Sequence, residues 1–158
     1  MNHLKEQIRN IAQSHPSIPS DLQFGPTSEN DVRDVEEKIG NVFPNSYRAY
    51  LLEFAGGMML NYEMCGIPTE KSGISDSDGN SIRSIVDANK GRERDLATGN
   101  VFIADDGGDY SFFLDTAKMD SDGECPVVAY GPGAQGSQVA ATFVGFLEWL
   151  AAGGLVIT

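Results

Sequence analysis

Four aspartates lie close together in the stretch IADDGGDYSFFLD, residues 103–115, around a pair of glycines. They are Asp105, Asp106, Asp109 and Asp115. Four interpretations are open: a metal site, a catalytic pair of carboxylates, an acidic contact surface, or a turn between two strands. The segment DGGD separates two β-rich runs, and Gly and Asp are residues that tight hairpins favour. A turn therefore accounts for Asp106 and Asp109 without any chemistry.

The metal interpretation depends on the motif DSDG, which occurs at residues 76–79 and 120–123 and resembles part of a calcium loop. An EF-hand needs alternating oxygen ligands, a glycine at its sixth position and a glutamate at its twelfth. Counted from Asp76, the glycine comes too early, and the twelfth position is Asp87. We therefore predict no metal site, and calcium binding stays a minor alternative.

The catalytic interpretation needs two carboxyls held about 5–10 Å apart across a cleft, one of them in an apolar pocket that raises its pKa. The sequence leaves this open for Asp105 and Asp115. The chain contains no GxSxG, P-loop, HExxH or glycine-rich dinucleotide motif. We predict no catalytic residue, no cofactor and no enzymatic activity, with a carboxylate- or calcium-dependent hydrolase as the least favoured alternative.

The distribution of charge favours an acidic contact surface. The chain has 23 acidic and 11 basic residues and a net charge of −12. From Gly99 onward its only basic residue is Lys118, against eight carboxylates. This argues against nucleic acid, whose phosphates require clustered Lys and Arg, and favours a basic protein partner. The candidate contact residues are Asp105, Asp106, Asp109, Asp120, Asp122 and Glu124.

Length and composition suit one ordinary domain, which we expect to comprise residues 1–158. Cys65 and Cys125 form no CxxC pair, so we expect two free, partly buried thiols rather than a zinc site or a disulfide. The N-terminal MNHLKEQIRN lacks the apolar run of a secretory signal, which favours a cytoplasmic protein. Residues 140–157 carry a single charge, but their glycines and alanines argue against a membrane span.

Two amphipathic helices are predicted in the first forty residues. Leu4, Ile8 and Ile11 recur at helical spacing before Pro16, which ends the first helix. The second begins at a capping box and ends at a glycine; these signals are Ser28, Asp31 and Gly40. Its apolar stripe comprises Val32, Val35 and Ile39. The side chains expected to face away are Glu29, Asp34, Glu36 and Lys38.

A third helix is predicted to start near Pro44 and to end at Gly56 and Gly57. Its expected buried face comprises Tyr47, Tyr50, Leu51 and Phe54. Residues 58–67 indicate strand, and residues 69–80 a polar surface loop. A short helix is predicted for residues 81–90, with Ile82, Ile85 and Val86 pointing inward.

The last third of the chain has the pattern of a small antiparallel sheet. Its three predicted strands are VFIA (101–104), YSFFLD (110–115) and CPVVAY (125–130). A loop, PGAQGS, then leads to a closing helix that packs on the sheet. The apolar face of that helix is predicted to comprise Val139, Phe143, Phe146, Leu147 and Leu150.

The segment FPNSYRAYLLEFAGG, residues 43–57, resembles the signature of the SUKH superfamily, the Smi/Knr-type domain. The residues that match the signature are Pro44, Ser46, Tyr47, Arg48, Leu51, Gly56 and Gly57. VFIADDGGDYSFFLDTAK, GECPVVAY and FVGFLEWL resemble the family's later strands and closing helix, so the resemblance covers about residues 28–150. Phe54-Ala55 departs from it, since many members carry a polar residue there.

The resemblance implies an α+β domain, with a central, largely antiparallel sheet flanked by helices, and no enzymatic role. Bacterial members of the family are immunity proteins that neutralise a cognate toxin, often a nuclease, and other members regulate fungal cell-wall synthesis. For this chain the resemblance implies an immunity protein that occludes the active site of a basic toxin. A regulatory scaffold with a non-toxin partner is the first alternative. The resemblance implies no oligomeric state.

Overall fold

The computed structural model describes residues 2–13, 25–59, 62–68, 84–90 and 99–154. The helices in this part of the chain are α1 (Asn2–Gln13), α2 (Glu29–Ile39), α3 (Asn45–Phe54), α4 (Ile85–Asn89) and α5 (Phe143–Ala151), with a 3-10 turn at Thr116–Lys118. The strands are β1 (Gly57–Met59), β2 (Tyr62–Met64), β3 (Asn100–Asp105), β4 (Ser111–Asp115), β5 (Val127–Gly131) and β6 (Ala134–Ala140).

The six strands form one sheet in which every neighbouring pair is antiparallel and the spatial order follows the chain, β1 to β6. The predicted α+β fold with a central, largely antiparallel sheet is therefore confirmed. β3 and β4 pair with a β-bulge between Phe102 and Ala104. Beyond the end of β2, the side chain of Asn89 forms hydrogen bonds with the backbone of β3. Its Oδ1 accepts from the Phe102 N–H at 2.7 Å, and its Nδ2 donates to the Phe102 carbonyl at 3.1 Å.

Aromatic side chains join the helices to the sheet. Tyr47 of α3 contacts Phe143 of α5, with ring centroids 4.9 Å apart, and Phe146 contacts Phe112 of β4 at 5.1 Å. Tyr47, Phe112, Phe143 and Phe146 are all buried. Each such pair contributes about 0.5–1.5 kcal/mol of stability beyond the hydrophobic effect of burying the two rings. Because these buried rings belong to α3, α5 and β4, the core lies between those elements.

Both ends of α2 form as predicted. The Ser28 hydroxyl accepts a hydrogen bond from the Asp31 N–H, the Asp31 carboxylate accepts one from the Ser28 N–H, and Gly40 ends the helix at φ 83°. The predicted orientation of Glu36 is wrong, because its side chain is buried and not solvent-facing. Glu36 accepts a hydrogen bond from the Phe43 N–H at 2.7 Å and forms an ion pair with Arg48 of α3.

Three predictions about the strands need correction. The strand predicted at residues 58–67 corresponds to two short paired strands, β1 and β2. Most of the predicted PGAQGS loop belongs to a sixth strand, β6, which also contains Val139, so that residue is not part of α5. β6 was missed because Gly and Ala are depleted in strands, and its conformation depends on pairing with β5.

α4 confirms part of the short helix predicted for residues 81–90, with Ile85 buried and Val86 half-buried. Ile82 and the predicted surface loop at residues 69–80 lie outside the described residues. Cys65 and Cys125 form no disulfide, and both are buried.

The chain makes a close backbone contact just after α3. The helix ends at Ala55 in the left-handed conformation, φ 57°, and Gly56 follows at φ 110°. A Cβ on Gly66 would lie 1.8 Å from the carbonyl oxygen of Ala55, so only glycine fits there. The contact is flanked by hydrogen bonds from the Ile67 N–H to the Ala55 carbonyl and from the Ile85 N–H to the Gly66 carbonyl. It joins the end of α3 to β2 and α4.

The two ends of the sheet differ in their connections. One end, here called the hairpin end, carries the β3–β4 turn, residues 106–110, and the β5–β6 turn, residues 132–133. The Tyr110 hydroxyl donates to the Pro132 carbonyl at 2.6 Å and ties the two turns together. The opposite end, here called the loop end, carries the connection from β4 to β5, residues 116–126. The position of each candidate carboxylate follows from this topology.

Candidate protein-binding surface

Three of the six candidate carboxylates lie at the hairpin end. Asp105 ends β3 and is half-buried, and its Oδ1 accepts from the Gly107 N–H at 2.9 Å. Asp106 is exposed, and its Oδ1 accepts from the Gly108 and Tyr110 N–H groups at 2.9 and 3.2 Å. The carboxylates thus organise the turn, as the turn interpretation predicts. Asp109 is exposed on the same turn.

The other three lie at the loop end. Asp120 and Asp122 are exposed, and Asp120 Oδ1 accepts from the N–H groups of Asp122 and Glu124 at 2.8 and 3.0 Å. Glu124, although a candidate contact residue, is half-buried and bonded within the molecule. Its Oε2 accepts from the Ser46 N–H at 3.0 Å, and its Oε1 accepts from the Ser46 hydroxyl at 2.5 Å. Glu124 therefore caps the start of α3, where Pro44 provides no side-chain acceptor.

Replacing Glu124 by alanine should lower the free energy of unfolding by about 1–2 kcal/mol, because the first turn of α3 loses its acceptor and a favourable charge at its N-terminus. Urea denaturation followed by circular dichroism measures this change. Asp122→Ala is the matched control, since it removes a carboxylate of the same loop whose side chain is exposed. The control should change the stability by less than about 0.5 kcal/mol. Equal losses in the two variants would contradict the capping role.

The structure separates the two groups of carboxylates instead of bringing them together. Ser111 begins β4 beside Asp105, and Asp115 ends it beside Asn100. At about 3.3 Å per residue, the strand alone places the two groups roughly 13 Å apart. The same geometry argues against Asp105 and Asp115 as a glycosidase-like pair, because that chemistry needs a separation of about 5–10 Å.

The hairpin end contains a further carboxylate that was not predicted. Glu63 of β2 lies directly opposite Asp105 of β3 in the strand pairing. Like charges at directly opposed positions destabilise a sheet, by roughly 0.2–1 kcal/mol. Departures from such local rules occur at functional sites, so the pair marks this end of the sheet as a candidate contact region. The β2–β3 pairing that reveals it is not readable from the sequence.

Two half-exposed aromatic rings lie on the same side of the molecule as this acidic end. Tyr62 and Trp149 both contact Phe112, each with a centroid distance of 5.8 Å. Partial burial, together with the negative charge of Asp106, raises the pKa of the Tyr62 hydroxyl. Tyr and Trp are enriched at the centres of protein interfaces. The sequence contains a signal for this combination of rings and carboxylates, because an aromatic residue is next to a glutamate in both Tyr62-Glu63 and Glu148-Trp149.

A groove of about 510 Å³ lies between α2 and α4, and its lining contains none of the six candidate carboxylates. Its polar lining includes two ion pairs, Lys38–Asp34 within α2 at 2.9 Å and Lys90–Asp87 at the end of α4 at 3.0 Å. Among the described residues, no group of three or more His, Cys, Asp or Glu is arranged to hold a metal ion. The groove offers exposed, paired charges rather than a carboxyl in an apolar pocket.

Cys125 is the thiol nearest the loop-end carboxylates. Burial, and to a smaller extent the charges of Glu124, Asp115 and Asp120, raise the pKa of the Cys125 thiol to about 12. The thiol is therefore neutral at pH 7, and only a thiolate is a strong nucleophile or metal ligand. Cys125 contributes to packing beneath the loop end.

The residues of the FPNSYRAYLLEFAGG segment have roles in the structure. Tyr47 and Leu51 are fully buried, as expected of core residues. Ser46 donates to Glu124, Arg48 pairs with Glu36, and Gly56 and Gly57 have φ values of 110° and 120°. This segment therefore positions α3 against the sheet.

The fold and the surface define an α+β domain that presents carboxylates at both ends of an antiparallel sheet. A sequence model of the SMI1 / KNR4 family (SUKH-1) matches residues 26–149, and the chain belongs to this family. Membership is consistent with a protein of the immunity type, points to a protein partner, and is typical of generally non-catalytic proteins. No match was found among curated proteins.

The described helices are short. The longest, α1, has 12 residues, and a bilayer crossing needs about 20 apolar residues in succession. No helix in the described part of the chain meets the length and hydropathy of a membrane span.

Proposed function

We propose that this protein is a bacterial immunity protein, which acts as a single cytoplasmic domain, binds a cognate toxin and occludes its active site. The partner is a basic protein, and a nuclease is the favoured class, since the cleft of a nuclease binds phosphates through basic side chains. The observation that carries the proposal is the charge of the C-terminal part. From Gly99 onward it has eight carboxylates and one lysine, in a chain that belongs to the SUKH-1 family.

The contact residues proposed are Asp105, Asp106, Asp109, Asp120, Asp122 and Glu124. The first three and the last three lie at opposite ends of β4. One compact interface is therefore centred on one of the two groups, and the other group contributes less. The hairpin end is the main contact in this proposal. There the carboxylates adjoin Glu63 and the half-exposed rings of Tyr62 and Trp149, whereas Glu124 at the loop end is already engaged by Ser46.

The physical mechanism is electrostatic attraction followed by steric occlusion. A negatively charged surface raises the rate of encounter with a basic cleft, and close charge pairs then fix the orientation of the complex. Asp105 and Asp106 are held by backbone N–H groups of their own turn, so little side-chain entropy is lost on binding. The carboxylates occupy the positions of substrate phosphates and block access to the catalytic centre.

Replacing Asp106 and Asp109 by asparagine should slow association with the toxin by about tenfold at low ionic strength and flatten its salt dependence. Asparagine keeps the Oδ1 acceptor of the turn, so the change removes charge and preserves structure. The matched control, Asp120→Asn with Asp122→Asn, removes the same charge at the loop end and should slow association by less than about threefold. Stopped-flow association, measured at about 50 and 500 mM salt, gives both quantities.

The proposal predicts that a gene next to that of this protein encodes a toxin domain, and that domain is the partner for this measurement. Co-expression should protect cells from that domain, and the purified protein should inhibit it in vitro at an equimolar ratio. If both variants associate as fast as the wild type at both ionic strengths, the interface lies away from the carboxylates. The absence of a neighbouring toxin gene would instead support the regulatory scaffold with another protein partner.

A further inference from the structure

The strand β6 forms one edge of the sheet. Ala134–Ala140 pairs with β5 on one side, and within the described residues no other strand pairs with it. All of its residues except Ala134 are at least partly exposed. An open edge offers unpaired backbone N–H and C=O groups, which are a template for a strand from another molecule.

This edge belongs to the longest uncharged stretch of an otherwise highly charged chain. Residues 126–147 contain no Asp, Glu, Lys, Arg or His, although 22% of the chain is charged. β5, β6, their turn and the first half of α5 fall within this stretch. Proteins usually protect edge strands with charged side chains or proline, and β6 has neither.

Two features of the sheet limit what the edge can bind. The pairing of β5 with β6 shifts register twice, so the edge is twisted and only part of it can form regular pairs. The opposite edge, β1, is only three residues long. An open-ended array needs two extended edges, whereas a two-fold dimer uses the same edge twice.

We propose that a second copy of this chain binds at β6, with the two β6 strands antiparallel across a two-fold axis. The choice of occupant follows from charge. Each copy carries −12, so two copies repel one another at either acidic end, and the uncharged stretch is where they approach at the lowest electrostatic cost. A basic partner is attracted to the acidic ends instead, which leaves β6 available in the complex.

The dimer has a salt dependence opposite to that of a complex with a basic protein. Salt screens the repulsion between two acidic copies, with a Debye length of about 10 Å at 0.1 M, so dimerisation strengthens as ionic strength rises. Strand pairing along a short edge buries a small area, and interfaces below about 1,200 Å² are weak. The dimer is therefore expected only at high protein concentration.

Sedimentation velocity over a concentration series up to about 1 mM tests this proposal. A dimer with a Kd of about 1 mM, which corresponds to a free energy of association near −4 kcal/mol, is half-formed at that concentration. The disrupting variant is Gln135→Glu with Gln138→Glu, which changes two exposed positions of β6. In a dimer of this variant, the new carboxylates of one copy repel those of the other across the two-fold axis. Its association constant should fall by at least about tenfold. The matched control Gln13→Glu, at the exposed end of α1, should change it by less than about threefold.

Amide hydrogen exchange provides the structural measurement. In the wild type, exchange along Ala134–Ala140 should slow as protein concentration rises, and in the disrupting variant it should not. A wild type that stays monomeric up to about 1 mM at low and high salt overturns the proposal. A dimer that both variants weaken equally, or that neither weakens, also overturns it, because the contact then lies elsewhere.

Discussion

Replacing Arg48 by methionine should lower the free energy of unfolding by about 3–5 kcal/mol, as expected when one partner of a buried ion pair is removed. The Arg48 side chain is 16% exposed and that of Glu36 is 9% exposed. Arg48 joins α3 to α2 through Glu36, and it also contacts Glu29 at 3.1 Å. Without Arg48 the Glu36 carboxylate is left buried, and among the described residues the Phe43 N–H is its one remaining donor.

Urea denaturation of the wild type and of Arg48→Met measures this loss. Arg33→Met is the matched control, because Arg33 lies exposed on α2 and its replacement should change the stability by less than about 0.5 kcal/mol. Adding Glu36→Gln to Arg48→Met should restore about 1–2 kcal/mol, since the amide still accepts from Phe43 and carries no charge. A loss below about 1 kcal/mol in Arg48→Met would show that the pair is not buried in solution.

Replacing Gly66 by alanine should cost more than about 3 kcal/mol, beyond the usual range for overpacking. Its Cβ would lie 1.8 Å from the Ala55 carbonyl oxygen and 2.9 Å from the Gly56 Cα, so it would meet backbone and not a mobile side chain. The backbone cannot move apart without breaking the hydrogen bonds that Ile67 and Ile85 make at the same point. The change therefore separates α3 from β2 and α4.

The same urea experiment measures the effect, and near-ultraviolet circular dichroism reports whether native aromatic packing survives. Gly108→Ala is the matched control, because Gly108 is exposed in the β3–β4 turn and its added Cβ would come no closer than 3.5 Å to another residue. It should change the stability by less than about 0.5 kcal/mol. Similar losses in the two variants would show that the Gly66 contact is looser than the structure has it.

The parts of the fold predicted correctly are those set by local signals. The ends of α2 follow from the Ser28 capping box and from Gly40, whose conformational preferences operate within one helical turn. β6 and the burial of Glu36 could not be predicted, because each depends on a partner elsewhere in the chain. An 11-residue amphipathic pattern places a glutamate outside the apolar stripe, and only the position of Arg48 brings it inward.

The candidate site shows the same limit. Its residue types were recognised from the charge of the C-terminal part, but their grouping was not. The residues around Asp105 and those around Asp120 are close in sequence and lie at opposite ends of β4, because a strand between them carries the chain across the sheet. Glu63 is distant in sequence and adjacent in space, through the β2–β3 pairing.

The cap that Glu124 provides for α3 has a consequence for folding during synthesis. Ser46 leaves the ribosome long before Glu124, so the first turn of α3 lacks its acceptor until the connection between β4 and β5 has been translated. The nascent helix is incomplete for that interval, and it gains this part of its stability only after that connection has been made.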